Sequence, residues 1–391
     1  MEFIALLIII GAAVFIQKGL YRRYGMRRLD YRCYFSTIEA YEGDEIELIE
    51  EVSNSKWLPL PWLRTELATS KWLDFAESQS VVTDQTRFVP SFFTMKSYHK
   101  VVRRWRVKCL KRGTYAVDKV VVVGTDLLGM GDMSLPVDVD ARLTVLPRPL
   151  PLEEMAVSSR HLTGDLVVRR QLLSDPFYIA GVREYTGLEP VNKINWLATA
   201  REKKLMVFQN DYTTSQSIAV LLNMQSRLEE GNTSLDRDNI ENCIRVCASY
   251  FDDTLQSGIP VRFLSNTSLD GTEQPVVSNE AWGQEHVLEL LRLLARLEFT
   301  TTEGFDSFLN GVDGAVTATD VVIVTCYLSP GIVAFARKKQ DAGLHVRIAV
   351  LGLREADAAD LPADCDVYCL YDYFAQRNRP AQRQGEEKDG Q

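Results

Sequence analysis

Charged and aromatic side chains gather between residues 181 and 201. Arg183, Glu189, Lys193 and Arg201 place both signs of charge around Tyr185 and Trp196. Such a set has two uses. One is an ion-pair network that pins a connecting segment in place, a task for which the planar guanidinium fork suits carboxylates. The other is a ligand or partner site with an aromatic floor. Its catalytic form is a hydrolase or other enzyme using Arg183, Glu189 and Trp196. The first use is the simpler expectation, because such networks perturb no chemistry by themselves.

Other reactive groups are sparse. The four histidines, His99, His161, His286 and His345, show no paired spacing for a metal. Seven cysteines are present, an odd number, and most lie in apolar segments. A secreted disulfide framework has an even count at high density in a short chain, so reduced thiols acting as small hydrophobes are expected. Cys243 and Cys247 stand one helical turn apart, as do Cys365 and Cys369, whereas zinc favours tighter, matched pairs. Gly129-Met-Gly131 sits in a β-like stretch and reads as turn chemistry, not as a phosphate loop. No Gly-x-Ser-x-Gly elbow occurs. A net charge of −9 and a pI near 5.2 argue against nucleic acid, whose phosphates demand clustered cations.

The elements that must position these groups fall into segments. Residues 30–148 read as β structure. Glu45 to Val52 alternates apolar and charged residues, Val101 to Cys109 does so in part, and Lys119 to Gly124 is a β-branched run. The two prolines of Asn54 to Trp62 predict an edge or a loop there. Short strands separated by turn signals predict an all-β, immunoglobulin-like sandwich. Residues 149–215 form a connector. Residues 216–375 alternate strand and helix: Ser217 to Leu222, Pro260 to Leu264, Val321 to Thr325, Val346 to Leu351 and Asp366 to Leu370 as strands, with helices over Ile240 to Leu255, Gln284 to Leu297 and Ile332 to Ala342. Apolar strands alternating with helices predict a parallel, doubly wound, Rossmann-like sheet. The polar stretch 376–391 is expected to be disordered.

Phe3 to Ile16 contains no charge, and Lys18, Arg22, Arg23, Arg27 and Arg28 follow at once. Extended through Tyr21, the segment approaches the roughly 20 residues that cross a bilayer. A cleavable signal peptide carries its charge before the apolar stretch, and a buried core helix is the third reading. The basic flank predicts residues 1–24 as a single-pass anchor in the cell membrane, with the soluble domains cytoplasmic.

Gly181-Val-Arg183-Glu184-Tyr185, with Glu189, Lys193-Ile194-Asn195-Trp196 and Ala200-Arg201, resembles the signature of the bacterial domain of unknown function 58 family. Arg112-Gly113-x-Tyr115, Asp126-Leu-Leu-Gly129 and Leu146-Pro147 look like that family too. Leu188-Glu189 replaces the family's glycine-aspartate, and Asn192 replaces its first arginine before the tryptophan. The resemblance implies a membrane-anchored β module joined to a domain similar to the von Willebrand factor A fold. That fold often binds magnesium through aspartate-x-serine-x-serine after its first strand. Here the three positions are Asn223, Gln225 and Arg227, with Ser226 between the last two, and Thr325-Cys326 stands where a completing aspartate would be. A lost carboxylate and a gained cation argue against magnesium, and no cofactor is expected; neutral ligands from Asn223, Gln225 and Ser226 are the remaining metal reading. The loop Asn223–Gln225–Ser226–Arg227 is instead the expected partner-binding surface, since ligands of open α/β sheets gather at strand carboxyl ends. Genes of this family commonly neighbour those of MoxR-type AAA+ ATPases and transglutaminase-like membrane proteins, which the resemblance offers as partners. The expected function is that of a membrane-tethered, non-enzymatic interaction or assembly factor.

Overall fold

The computed structural model describes residues 2–76, 78–129, 131–151, 179–185, 194–210, 217–231, 236–269, 272, 274–353 and 366–377. The chain divides into two compact units. The described residues are mostly β, with an apolar helix at the N-terminus.

The first unit comprises Met1–Arg148 together with Leu291–Leu297. It begins with helix α1 (Glu2–Tyr24), whose Phe3–Tyr24 stretch is long and apolar enough to cross a membrane. Ten strands follow: β1 (Leu29–Phe35), β2 (Glu39–Tyr41), β3 (Glu45–Asn54), β4 (Leu60–Ser70), β5 (Leu73–Phe75), β6 (Val81–Thr83), β7 (Thr86–Met95), β8 (Lys100–Cys109), β9 (Gly113–Thr125) and β10 (Asp132–Leu146). They form two sheets, ordered β1-β3-β8-β5 and β2-β10-β9-β4-β7-β6. Alternating residues such as Leu63, Leu67, Val107, Val120, Val122 and Leu143 fill one shared core, which makes the module a β-sandwich.

Two features correct the sequence reading. The proline-bearing segment does not stay at an edge. From Leu60 it becomes β4, an inner strand between β9 and β7, and the missing Pro61 donor falls within the register break between Leu60 and Leu63. Within β3, Ile46, Leu48 and Val52 belong to the core, and Glu50 shares their phase and is wholly buried. Its carboxylate accepts from Tyr31 Oη at 2.7 Å, Thr65 Oγ1 at 2.9 Å, Ser91 Oγ at 2.5 Å and Trp105 Nε1 at 2.7 Å. Tyr31 and Trp105 come from one sheet, Thr65 and Ser91 from the other, so one carboxylate ties the sheets together. A buried carboxylate is tolerated only when its oxygens are satisfied in this way.

The second unit comprises residues 149–290 and 298–391. Its connector region is not bare linker. It holds β11 (Ile179–Glu184) antiparallel to β12 (Met206–Asn210), with helix α2 (Trp196–Glu202) between them. The rest is strand and helix in turn: β13 (Ile218–Leu222), α3 (Arg237–Ser257), β14 (Val261–Ser265), β15 (Val276–Val277), α4 (Gln284–Arg296, whose last residues belong to the first unit), α5 (Phe305–Val312), β16 (Asp320–Thr325), α6 (Pro330–Asp341), β17 (His345–Val350), β18 (Asp366–Cys369) and α7 (Tyr371–Arg377). The six-stranded sheet is ordered β15-β14-β13-β16-β17-β18, and every pairing is parallel except that of β15. Helices cover both faces. Ala219, Leu221, Ile323 and Ile348 pack with Phe308, Ile332 and Phe335 of α5 and α6. From α3, Phe251 meets Phe263 of β14 edge-to-face at 5.7 Å. Residues 376 and 377, expected in the disordered tail, lie in α7, which runs to Arg377; residues 378–391 lie outside the described residues.

Candidate functional site

The sheet order reverses at β13. The chain reaches β14 on one side and β16 on the other, and both pair with β13 in parallel. A crevice at the carboxyl ends of two such strands is where open α/β sheets place their sites. Asn223 follows β13, Asn266 follows β14, and Thr325 ends β16.

Asn223 binds Thr325, and Asn266 binds the backbone beside Asn223. Asn223 is fully buried; its backbone N–H donates to Val324 O at 2.9 Å and its Nδ2 to Thr325 Oγ1 at 3.0 Å. Its Oδ1 accepts from Gln225 N at 2.9 Å, closing a local turn of the asparagine type. Asn266 Oδ1 accepts from Met224 N at 2.9 Å, and its Nδ2 donates to Glu303 O at 3.1 Å. Gln225 Oε1 receives both Phe305 N at 2.8 Å and Tyr327 Oη at 3.1 Å. Burial raises the Tyr327 hydroxyl above its ordinary pKa, which keeps it a donor. Ser226 Oγ donates to Glu230 at 2.7 Å and accepts from Asp236 N at 3.1 Å. The same carboxylate receives the backbone N–H groups of Ser226 and Arg227. Asp236 then caps α3 through Asn239 N at 3.2 Å.

Of the four residues expected to face a partner, Asn223, Gln225 and Ser226 therefore turn inward, because their amides and hydroxyl satisfy buried main-chain groups. Arg227 is exposed, and its neighbour Leu228 is 53% exposed. The oxygens a cation would need here already accept hydrogen bonds. Among the described residues, no group of three or more His, Cys, Asp and Glu side chains is arranged to hold a metal.

The segment that resembles a family signature is placed in part. Glu189 and Lys193 lie outside the described residues. Arg183 pairs with Val207 across the β11–β12 ladder, and Tyr185 N donates to Leu205 O at 2.8 Å. Asn195 caps α2 by accepting Ala198 N at 3.0 Å, and Thr199 Oγ1 accepts Met206 N at 2.9 Å. Trp196 is 64% exposed and Leu197 70%, and Arg201 is exposed too. Trp196 is thus a surface residue.

The upstream motif has a clearer job. Tyr115 Oη donates to Lys111 O at 2.7 Å, folding its ring over Gly113. Gly113 has φ +149°, and a Cβ there would meet that ring at 3.3 Å. Arg112 is buried, and its Nη1 donates to Leu294 O at 2.6 Å, Ala295 O at 3.3 Å and Leu297 O at 3.2 Å, all within the first unit. Arg-Gly-x-Tyr is a structural device that captures the end of α4.

Six of the seven cysteines are described, and all six are free thiols. Burial pushes Cys33 up to about 12 and Cys109 up to about 11, so neither is a thiolate at neutral pH. Cys243 and Cys326 bring their sulfurs to 3.5 Å below the switch point. The sequence reading missed Glu50, Asn266 and Thr325 as members of polar networks. Counting β3 by twos from Ile46 would have placed Glu50 on the core face.

No protein-family model matches this sequence, and no curated protein matches it. Solved structures resemble part of it. A non-cellulosomal cohesin from the archaeon Archaeoglobus fulgidus is 13% identical, with 32% of this chain and 94% of that chain covered and a TM-score of 0.22. Domains D2 and D3 of the major pilin SpaD from Corynebacterium diphtheriae are 12% identical, covering 28% of this chain and 50% of that chain at a TM-score of 0.22. A cohesin–dockerin complex from Clostridium thermocellum gives 13%, 30% and 99% at 0.21.

Proposed function

We infer that this chain is a membrane-tethered, non-enzymatic interaction or assembly factor. The observation that carries the reading is the closed network at the switch point. Asn223 binds Thr325 and Gln225 N, Asn266 holds Met224 N between them, and the exposed side chains that follow are Arg227, Leu228 and Glu229, an apolar group between a cation and an anion. Such a surface suits a protein partner better than a reaction. Numbered from β13, the sheet order is 3-2-1-4-5-6 with strand 3 antiparallel, which supports reading the second unit as von Willebrand factor A-like. The resemblance to the domain of unknown function 58 family supports a MoxR-type AAA+ ATPase as partner, with a transglutaminase-like membrane protein in the same assembly. The basic residues Lys18, Arg22 and Arg23 at the end of α1 support a cytoplasmic location for both units.

The test is crosslinked affinity purification of the full-length protein from its own membranes, read by mass spectrometry. Wild type is expected to recover an AAA+ ATPase. The double variant Arg227→Glu, Leu228→Asp, altered only at exposed positions, is expected to recover at least about tenfold less, a 1.4 kcal/mol effect. Repeated recovery of no ATPase would contradict the assignment.

A further inference from the structure

The end of α1 is built into the sandwich. Leu20 and Met26 pack against its core, Tyr21 is buried, and Tyr21 Oη donates to Pro59 O at 2.9 Å. The Met26 methyl lies over Gly124, where any Cβ would overlap it. The length free to cross a membrane therefore stops near Leu20. From Phe3 to Leu20 a helix rises about 27 Å at ~1.5 Å per residue, against a hydrocarbon core of roughly 30 Å. With α1 read as a span, that length leaves little helix between a bilayer and the β module.

The β9–β10 hairpin lies against the same stretch of helix. Asp126, Gly131 and Asp132 line a cleft of about 300 Å³ together with Lys18 and Arg22. The residues on either side of the hairpin's turn thus lie against the helix from Lys18 to Arg22, Tyr21 included. At that tip Leu127 is 51% exposed and Leu128 54%, and Leu128 N is held by Asp126 Oδ1 at 3.1 Å. On the adjacent strand, Leu63 pairs with Gly124, which sets Trp62, 66% exposed, beside the same end. Exposed leucines at a loop tip, an exposed tryptophan and cations at the exit of a spanning helix are the composition of a bilayer interface.

We propose that the helix-proximal end of the sandwich, through Leu127, Leu128 and Trp62, is a second membrane contact that sits in the phospholipid headgroup layer. The helix then acts as a rigid post with the module seated on the bilayer, not as a flexible tether. The proposal rests on the reading of α1 as a membrane span.

The experiment uses the full-length protein in nanodiscs of equal parts phosphatidylcholine and phosphatidylglycerol, with acyl chains brominated near the headgroup to quench tryptophan. Trp62→Phe is expected to remove half or more of the quenchable emission, and Leu127→Asp with Leu128→Asp to reduce it about twofold at unchanged emission in unbrominated discs. If the protein stays in the membrane through alkaline carbonate yet wild type and Trp62→Phe quench alike, the seated module is overturned while the span stands. If carbonate releases the protein, the span itself fails, and the contact with it.

Discussion

Arg112 Nη1 donates to the carbonyl oxygen of Leu294 at 2.6 Å, and the same nitrogen lies within 3.3 Å of the carbonyls of Ala295 and Leu297. A guanidinium at a helix C-terminus satisfies orphan carbonyls and meets the negative end of the helix dipole. The backbone N–H of Arg112 donates to Glu42 Oε1 at 3.0 Å, so the turn that presents the side chain is held as well. Replacing Arg112 with Ala is expected to cost about 2–3 kcal/mol, the range for buried bonds to a charged group. Lysine, a point charge without the fork, should recover less than half. Urea unfolding followed by tryptophan emission measures both.

The Glu50 network predicts a second, larger loss. Glutamine would turn an amide donor toward groups that are themselves donors, and alanine would leave Tyr31, Thr65, Ser91 and Trp105 without an acceptor. Glu50→Ala should destabilise the first unit by about 3–5 kcal/mol and Glu50→Gln by about 2–3 kcal/mol. Trp105 reports the change directly, because its indole N–H bonds the missing carboxylate.

Lys56 gives a pH signature. It is buried, donates to Asn54 Oδ1 at 2.9 Å, and burial lowers its pKa to about 8. The unfolded chain holds this proton up to about 10.4, whereas the folded protein releases it near 8. Between those values the unfolded state binds more protons, so raising the pH favours folding through this group. Wild type should gain stability from pH 8 to pH 10 relative to Lys56→Met. Parallel pH dependences of the two melting temperatures would refute a buried, shifted lysine.

Much of the second unit was legible because its elements are long and periodic. Val287 and Leu290 mark its share of the buried stripe of α4, and the β-branched runs around Val220, Val322 and Ile348 mark inner parallel strands. The β module was legible as a class but not in its details. Pro61 reads as an edge signal until the register break beside it is seen. The site was the least legible part. Loop position singled out Asn223–Arg227, but whether a polar side chain faces solvent or backbone depends on partners far away in sequence, such as Phe305 and Thr325 for Gln225 and Asn223. Spacing alone carries no such information.

The central claim is that the exposed lip of the switch-point loop receives a protein partner at the membrane. A photo-crosslinking residue at Leu228, compared with one at exposed Arg337 on α6, tests it most directly in the full-length protein in native membranes. Crosslinks to an AAA+ ATPase are expected from position 228 and none from 337. Crosslinks to that ATPase from 337 alone, or equally from both, would contradict it.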